Sequence, residues 1–322
     1  MIKERINLWE DGEFTYPDNY GFTPFMIRMA HDEDPLKNDP RPTIIVCPGG
    51  GYACVSPSEG IIVANKFYEM GFDTFTLAYT TNTLCTAPLY DQPMKDLSRA
   101  IRIIRKRSHE FNVGKITACG FSAAGHLVAS VCVHYKDVAD TNPLYENISN
   151  RPDAAILGYP VISSGKYAHR GSFDNLIGTN PSNDDINYYS CENFVTSDTP
   201  PFFIWHTATD GFVPRENSIM FAEKLLANDV PFALHIFSKG NHGLSLSNED
   251  WKERRWGGDE VFEQSLKCRD AVIAGEINMS PEDKKNFLDG FKDYPEGRIP
   301  IKEVSIWPEL AVAFLKEQGL MK

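Results

Sequence analysis

Gly120-Phe121-Ser122-Ala123-Ala124-Gly125-His126 sets a hydroxyl among small residues at the point where an apolar run, 115–119, gives way to a helical pattern from Leu127. A strand that ends on glycine, presents a serine and turns at once into a helix is the setting of a nucleophile elbow. The sharp turn pushes the serine oxygen clear of the sheet edge, where a substrate and a histidine can both reach it. The usual motif is Gly-x-Ser-x-Gly; here its last position is Ala124, and glycine follows one residue later. The plainer reading is a strand-to-helix turn with a capping serine.

A serine hydroxyl is a poor nucleophile at neutral pH. It needs a base to take its proton, a carboxylate to orient that base, and donors to hold the oxyanion that forms. The chain offers a candidate for each, always just after a strand-like segment. Residues 42–47 run into Pro48-Gly49-Gly50-Gly51-Tyr52, where successive glycines leave main-chain N–H groups unshielded. Gly50 and Gly51, with the N–H of Ala123, are the candidate oxyanion donors. A phosphate loop is the competing reading, but no Gly-Lys-Ser/Thr follows. Asp210, in Thr209-Asp210-Gly211 after the strand pattern 201–206, is the candidate acid; alone, Asp-Gly would read as a turn. His242, in Gly240-Asn241-His242-Gly243 after the strand pattern 230–237, is the candidate base, since imidazole accepts and returns a proton near neutral pH. Among the other histidines, His126 is expected to pack or cap, and His206 and His235 to be buried or at a sheet edge. His31, His109, His134 and His169 lack a glycine-rich context. Tyr52 and Val213 are expected beside the acyl pocket.

Positioning these groups requires strands that end at one rim. Helical patterns over 61–70, 90–111, 215–227 and 310–318 alternate with strand patterns at 42–47, 72–78, 115–119, 154–160, 201–206 and 230–237. Such alternation implies a mostly parallel central sheet with helices on both faces. Residues 113–114 are expected to close the long helix 90–111. Two segments fall outside the scheme. Residues 163–198 are polar and are expected to form a small cap. Residues 246–304 form a helical insertion before the last helix, read as a lid or an oligomer contact, with a capping box at Ser280-Pro281-Glu282-Asp283.

Composition narrows the functional classes. The 322 residues suit a single domain over 1–322, and 42% are hydrophobic, enough for a sizeable core. A net charge of −12 with no basic block excludes nucleic acid and anionic membrane surfaces as partners. Seven cysteines without a Cys-x-x-Cys pair point to free thiols in a reducing compartment. The charged first residues carry no apolar leader, and no apolar stretch reaches the roughly 20 residues of a membrane span. A cytoplasmic location is therefore expected, with no metal spacing and no cofactor. Oligomeric state is left open between monomer and homo-oligomer.

The motifs above, together with Tyr159-Pro160-Val161-Ile162, Asp198-Thr199-Pro200-Pro201 and Asp210-Gly211-Phe212-Val213-Pro214, resemble the bacterial acetyl esterase or acetyl-xylan-esterase-like (xylanase-like sugar esterase) branch of the α/β-hydrolases. The likeness spans about 40–246 and the final helix, but not the insertion. It implies an α/β-hydrolase fold with Ser122 as nucleophile, Asp210 as orienting acid, His242 as base, and main-chain donors at Gly50, Gly51 and Ala123. It further implies hydrolysis of short-chain esters, chiefly acetyl, on small molecules or acetylated oligosaccharides. An esterase or formamidase on a non-sugar substrate, a serine peptidase of the acylaminoacyl or dipeptidyl type, and a non-catalytic binding protein are the alternatives.

Overall fold

The apolar runs spaced along the chain pair into one eight-stranded sheet. The computed structural model describes residues 1–17, 20–32, 39–292 and 297–321. Its strands are β1 (Ile2–Asn7), β2 (Phe25–Ala30), β3 (Arg41–Cys47), β4 (Asp73–Ala78), β5 (Val113–Phe121), β6 (Ala154–Gly158), β7 (Phe202–Thr207) and β8 (Phe232–Phe237), in the order β1-β2-β4-β3-β5-β6-β7-β8. The six strands from β3 to β8 run parallel. β2 runs against its neighbours β1 and β4. Every residue of β4, β6 and β7 is buried, as expected of parallel strands covered on both faces.

The helices are α1 (Ile61–Glu69), α2 (Gln92–Lys106), α3 (Ser108–Phe111), α4 (Ala123–His134), α5 (Arg170–Ile177), α6 (Asn183–Tyr188), α7 (Glu216–Ala227), α8 (Glu249–Lys252), α9 (Glu263–Ala274), α10 (Pro281–Asp289) and α11 (Trp307–Glu317). The continuous helix expected over 90–111 is instead two. Arg107, at φ −94° and ψ 18°, leaves helical geometry between α2 and α3, and Asn112 ends α3 in the left-handed region. Residues 113–114 do not close a helix; they open β5, where Val113 pairs with Arg41.

β1 and β2 were not anticipated. β1 carries Lys3, Glu4 and Arg5 on an outer edge, so its pattern is polar. Arg28 in β2 is buried, lying over the Phe111 ring and pairing with Glu4. The last helix is anchored by Trp307, fully buried and stacked 5.5 Å from Trp205, with Phe121 and Phe67 on its other edges.

The segment 163–198 holds α5 and α6. Ser182 caps α6 in a complete capping box with Asp185. The segment 246–304, of which 293–296 lie outside the described residues, folds back on its own chain. Lys3 and Arg5 of β1 pair with Glu260 and Glu263. Gln264 is buried, accepting from the Thr81 N–H and donating to the Thr81 carbonyl, each at 2.8 Å. Ser280 caps α10 by accepting the Asp283 N–H, which is one half of the expected box. Among the described residues no helix is long and apolar enough to cross a membrane.

Candidate active site

β5 ends at Phe121, and Ser122 turns the chain directly into α4. Its φ of 53° and ψ of −122° are a rarely populated conformation for a residue with a side chain, of the kind that costs about 1–3 kcal/mol and is kept where the surroundings over-determine it. Ser122 N–H donates to the Gly158 carbonyl, and the Ser122 carbonyl accepts from Gly125 and Val161. The small residues have a steric cause. A Cβ at Gly120 would lie 2.1 Å from the Ala124 carbonyl oxygen. Ala124 is itself fully buried, so its methyl is packed into the core at the position where the common motif has glycine.

The loops after β5, β7 and β8 bring Ser122, Asp210 and His242 together. His242 Nδ1 lies 2.8 Å from Asp210 Oδ2, and His242 Nε2 lies 2.8 Å from Ser122 Oγ. An ionised carboxylate only accepts, so Nδ1 carries the proton and Nε2 presents its lone pair to the serine hydroxyl. Asp210 is nearly inaccessible, with its side chain 1% exposed. Burial alone would raise its pKa. Hydrogen bonds from His206 and His242, the charge on His242 and the Phe212 N–H outweigh this and hold the carboxyl well below the usual range. Its second oxygen accepts from Phe212 N–H at 2.8 Å and Val213 N–H at 3.0 Å.

Thr207 and Thr209 tie the acid loop to the histidine loop. Both hydroxyls donate to the Gly240 carbonyl, at 2.8 and 3.1 Å, and Gly240 N–H donates to Thr209 Oγ1. The His242 ring meets Tyr159 edge-to-face at 4.8 Å and Phe212 at 5.5 Å.

The glycine loop lies against the elbow. Gly50 and Gly51 both have positive φ, at 129° and 65°, and a Cβ at Gly50 would meet the Cys54 carbonyl at 2.3 Å. The loop is held at several points: Tyr79 Oη donates to the Pro48 carbonyl, Asn175 Nδ2 to the Gly51 carbonyl, and Gly49 N–H to Glu59. Ala123 opens α4, so its N–H has no partner within the helix. Gly50 and Gly51 line one cleft with Ser122 and His242.

That cleft has a volume of about 470 Å³ and is walled by Gly50, Gly51, Cys54, Glu59, His169, Asn175, Phe212, Trp256 and Arg298, among others. His169 and Asn175 come from the segment 163–198, Trp256 and Arg298 from the insertion. His169 Nδ1 accepts from the Ser172 N–H, which leaves its proton on Nε2; burial, and then the charge of His242, lower its pKa.

Tyr52 and Val213 do not line this cleft. Tyr52 adopts a left-handed φ of 59°, and its ring turns into the core. There its hydroxyl lies 2.8 Å from His126 Nδ1, while His126 Nε2 donates to the Tyr189 carbonyl at 2.8 Å. His126 is thus a buried neutral imidazole, pushed down to about 4 by burial. The Val213 side chain is fully buried. The exposed large apolar residue of that loop is Phe212.

Two further residues bear directly on the site, although neither sits in a motif that marks it as part of one. His206 lies 3.3 Å from Asp210 Oδ2 and donates to the Val213 carbonyl. Glu59, ten residues beyond Gly49, is buried on the cleft wall. Among the described residues, no three His, Cys, Asp or Glu side chains cluster as metal ligands would.

A mostly parallel sheet with a serine on a strand-to-helix elbow, and an acid and a histidine on later strand-end loops, defines an α/β-hydrolase. The chain belongs to the BD-FAE family, which it matches over residues 33–225. It is 42% identical over 270 residues to endo-1,4-beta-xylanase B of Butyrivibrio fibrisolvens, a match covering 83% of this chain and 42% of that protein. It is 24% identical over 195 residues to esterase LipQ of Mycobacterium tuberculosis, covering 57% and 45%. The chain therefore spans less than half the length of these two curated relatives. Among solved structures it is similar to the acetyl ester-xyloside bifunctional hydrolase from Caldicellulosiruptor lactoaceticus, with a TM-score of 0.70 and 36% identity, covering 85% of this chain and 97% of that one.

Proposed function

We propose that this chain is a serine carboxylesterase that removes short acyl groups, chiefly acetyl, from carbohydrates such as xylo-oligosaccharides. The observation that carries the reading is the unbroken hydrogen-bond chain from Ser122 through His242 to Asp210, opening onto a cleft walled by Gly50 and Gly51. Ser122 Oγ attacks the ester carbonyl as His242 Nε2 takes its proton. The amides of Gly50, Gly51 and Ala123 hold the oxyanion, and Asp210 holds the imidazolium in orientation. His242 then protonates the departing alcohol oxygen. Water, deprotonated by the same imidazole, releases the acyl group and restores the serine.

The carbohydrate part of the reading is supported by the wall chemistry and by relatives. Phe212 and Trp256 offer aromatic faces for sugar C–H groups, and His169 Nε2–H and Asn175 offer polar contacts to hydroxyls. The names of two relatives, a xylanase and an acetyl ester-xyloside hydrolase, point the same way. The seven free thiols fit a reducing, cytoplasmic setting. An ester panel tests the assignment: p-nitrophenyl esters from acetyl to octanoyl, acetylated xylo- and manno-oligosaccharides, N-formyl amides, and acylated peptides. Acetate release from acetylated xylo-oligosaccharides at the highest kcat/KM is expected. A higher kcat/KM for non-sugar esters or formamides would replace the sugar assignment, and preferred cleavage of the peptides would make the chain a peptidase.

A further inference from the structure

Among the described residues, Glu59 is the one buried carboxylate on the cleft wall that the acyl-transfer steps do not use. It ends a short 3-10 turn, Pro57–Glu59, and is 4% exposed. Its two oxygens are spoken for by different parts of the site. Oε2 accepts the Gly49 N–H at 2.8 Å, one residue before the candidate oxyanion donors. Oε1 accepts the Tyr159 hydroxyl proton at 2.6 Å. The Tyr159 oxygen in turn accepts the Ser245 N–H at 3.1 Å, three residues beyond His242, and the Tyr159 ring packs edge-to-face on His242. The convergence is tight. A Cβ built on Gly49 would lie 2.9 Å from Glu59 Oε2 and 2.9 Å from Ser122 Cβ.

We infer that Glu59 is a positioning residue: one carboxylate and one phenol clamp the oxyanion loop to the histidine loop, fixing the distance between the donors and the base. This rests on the esterase reading above. Segments that meet only through loops need such a tie, because displacing donors or base by about 1 Å can cost about 100-fold in rate. Burial raises the Glu59 pKa, and the Tyr159 hydroxyl, the charge of His242, the Gly49 N–H and the charge of Arg298 each work against that rise. Neither Gly49 nor Ser245 reacts, and Glu59 touches no reacting atom; its influence passes through the two loops.

Glutamine at this position cannot reproduce the clamp. With its oxygen on the Gly49 N–H, its NH₂ faces a Tyr159 oxygen that already accepts from Ser245, and the phenol proton loses its acceptor. With the amide flipped, two donors face each other at Gly49.

The test compares the parent chain, Glu59→Gln, Tyr159→Phe and the double variant. The readouts are kcat and KM on p-nitrophenyl acetate, active-site concentration by burst titration, and the rate of inactivation by a fluorophosphonate. Glu59→Gln is expected to lower kcat about 10- to 100-fold with KM within about threefold, and to slow inactivation by the same factor. Tyr159→Phe is expected to lower kcat about 3- to 30-fold, and the double variant to be no worse than about threefold below Glu59→Gln, because the two act as one unit. If Glu59→Gln does not fold, Tyr159→Phe, which keeps the Gly49 contact, carries the test alone. A kcat per titrated site within about twofold of the parent in the folded variants would overturn the inference. A parent chain without Ser122-dependent turnover would overturn the esterase reading itself, and this inference with it.

Discussion

His206 Nε2 lies 3.3 Å from Asp210 Oδ2, the oxygen that also takes the His242 Nδ1 proton at 2.8 Å. Two imidazoles thus converge on one carboxylate oxygen from β7 and from the loop after β8. His206 Nε2 also donates to the Val213 carbonyl at 3.1 Å, and its Nδ1 lies 2.8 Å from Ser218 Oγ. It holds the acid loop closed around Asp210 from beneath. His206→Asn is expected to lower kcat about 10-fold with little change in KM, and to lower the unfolding free energy by about 1–3 kcal/mol, because buried partners lose their bonds. Steady-state kinetics and urea denaturation measure both.

The depressed pKa of Asp210 has a consequence for stability. Its folded value lies below the unfolded value of about 3.9, so folding favours the ionised form and the unfolded state binds the proton more readily. The contribution is fully present above the unfolded pKa and is lost as pH falls toward the folded one. Asp210→Asn removes it. The gap in unfolding free energy between parent and variant is expected to be largest at neutral pH and to narrow steadily below about pH 4. Activity at neutral pH is expected to fall about 10,000-fold, since an amide cannot hold the imidazole in the required tautomer.

Tyr52 separates a pocket role from an anchoring one. Its hydroxyl bonds His126 in the core, and Asn82 N–H bonds its carbonyl. Tyr52→Phe leaves the buried His126 Nδ1 only the longer 3.4 Å contact with Ser130 Oγ and is expected to cost about 1–3 kcal/mol of stability. The ratio of kcat/KM for acetyl over butyryl esters is expected to stay unchanged. A shift in that ratio, read from the p-nitrophenyl ester series, would return Tyr52 to the acyl pocket.

Gly50 is constrained twice, by its φ of 129° and by the Cys54 carbonyl 2.3 Å from where a Cβ would stand. Gly50→Ala must move the loop. A loss of about 100- to 1,000-fold in kcat is expected if the loop amides hold the oxyanion. Far-ultraviolet circular dichroism should match the parent, because the loop carries no strand or helix.

The parts of the site that could be read from the chain are those whose chemistry is written locally. The elbow, the glycine loop, Asp210 and His242 each follow an apolar run and announce themselves by glycine or a neighbouring turn residue. Burial that depends on distant partners was not legible. Glu59 looks like a solvated acid until Tyr159, 100 positions away, meets it. His206 reads as buried or at a sheet edge, but its contact with Asp210 depends on how the acid loop folds back over the end of β7. Tyr52 was misplaced because an aromatic residue after a glycine run suggests a pocket wall; its left-handed backbone turns the ring inward instead. β1 was missed because its edge position leaves charged side chains on the exposed faces, and β2 because its buried Arg28 breaks the apolar run.

The most direct measurement is the site of reaction with a serine-directed fluorophosphonate, mapped by peptide mass spectrometry on the parent chain and on Ser122→Ala. One adduct per chain on the peptide bearing Ser122 is expected. In the variant, both labelling and p-nitrophenyl acetate turnover should disappear while the unfolding transition is retained. An adduct on another residue, or a variant that keeps turnover within a few-fold of the parent, would contradict the account.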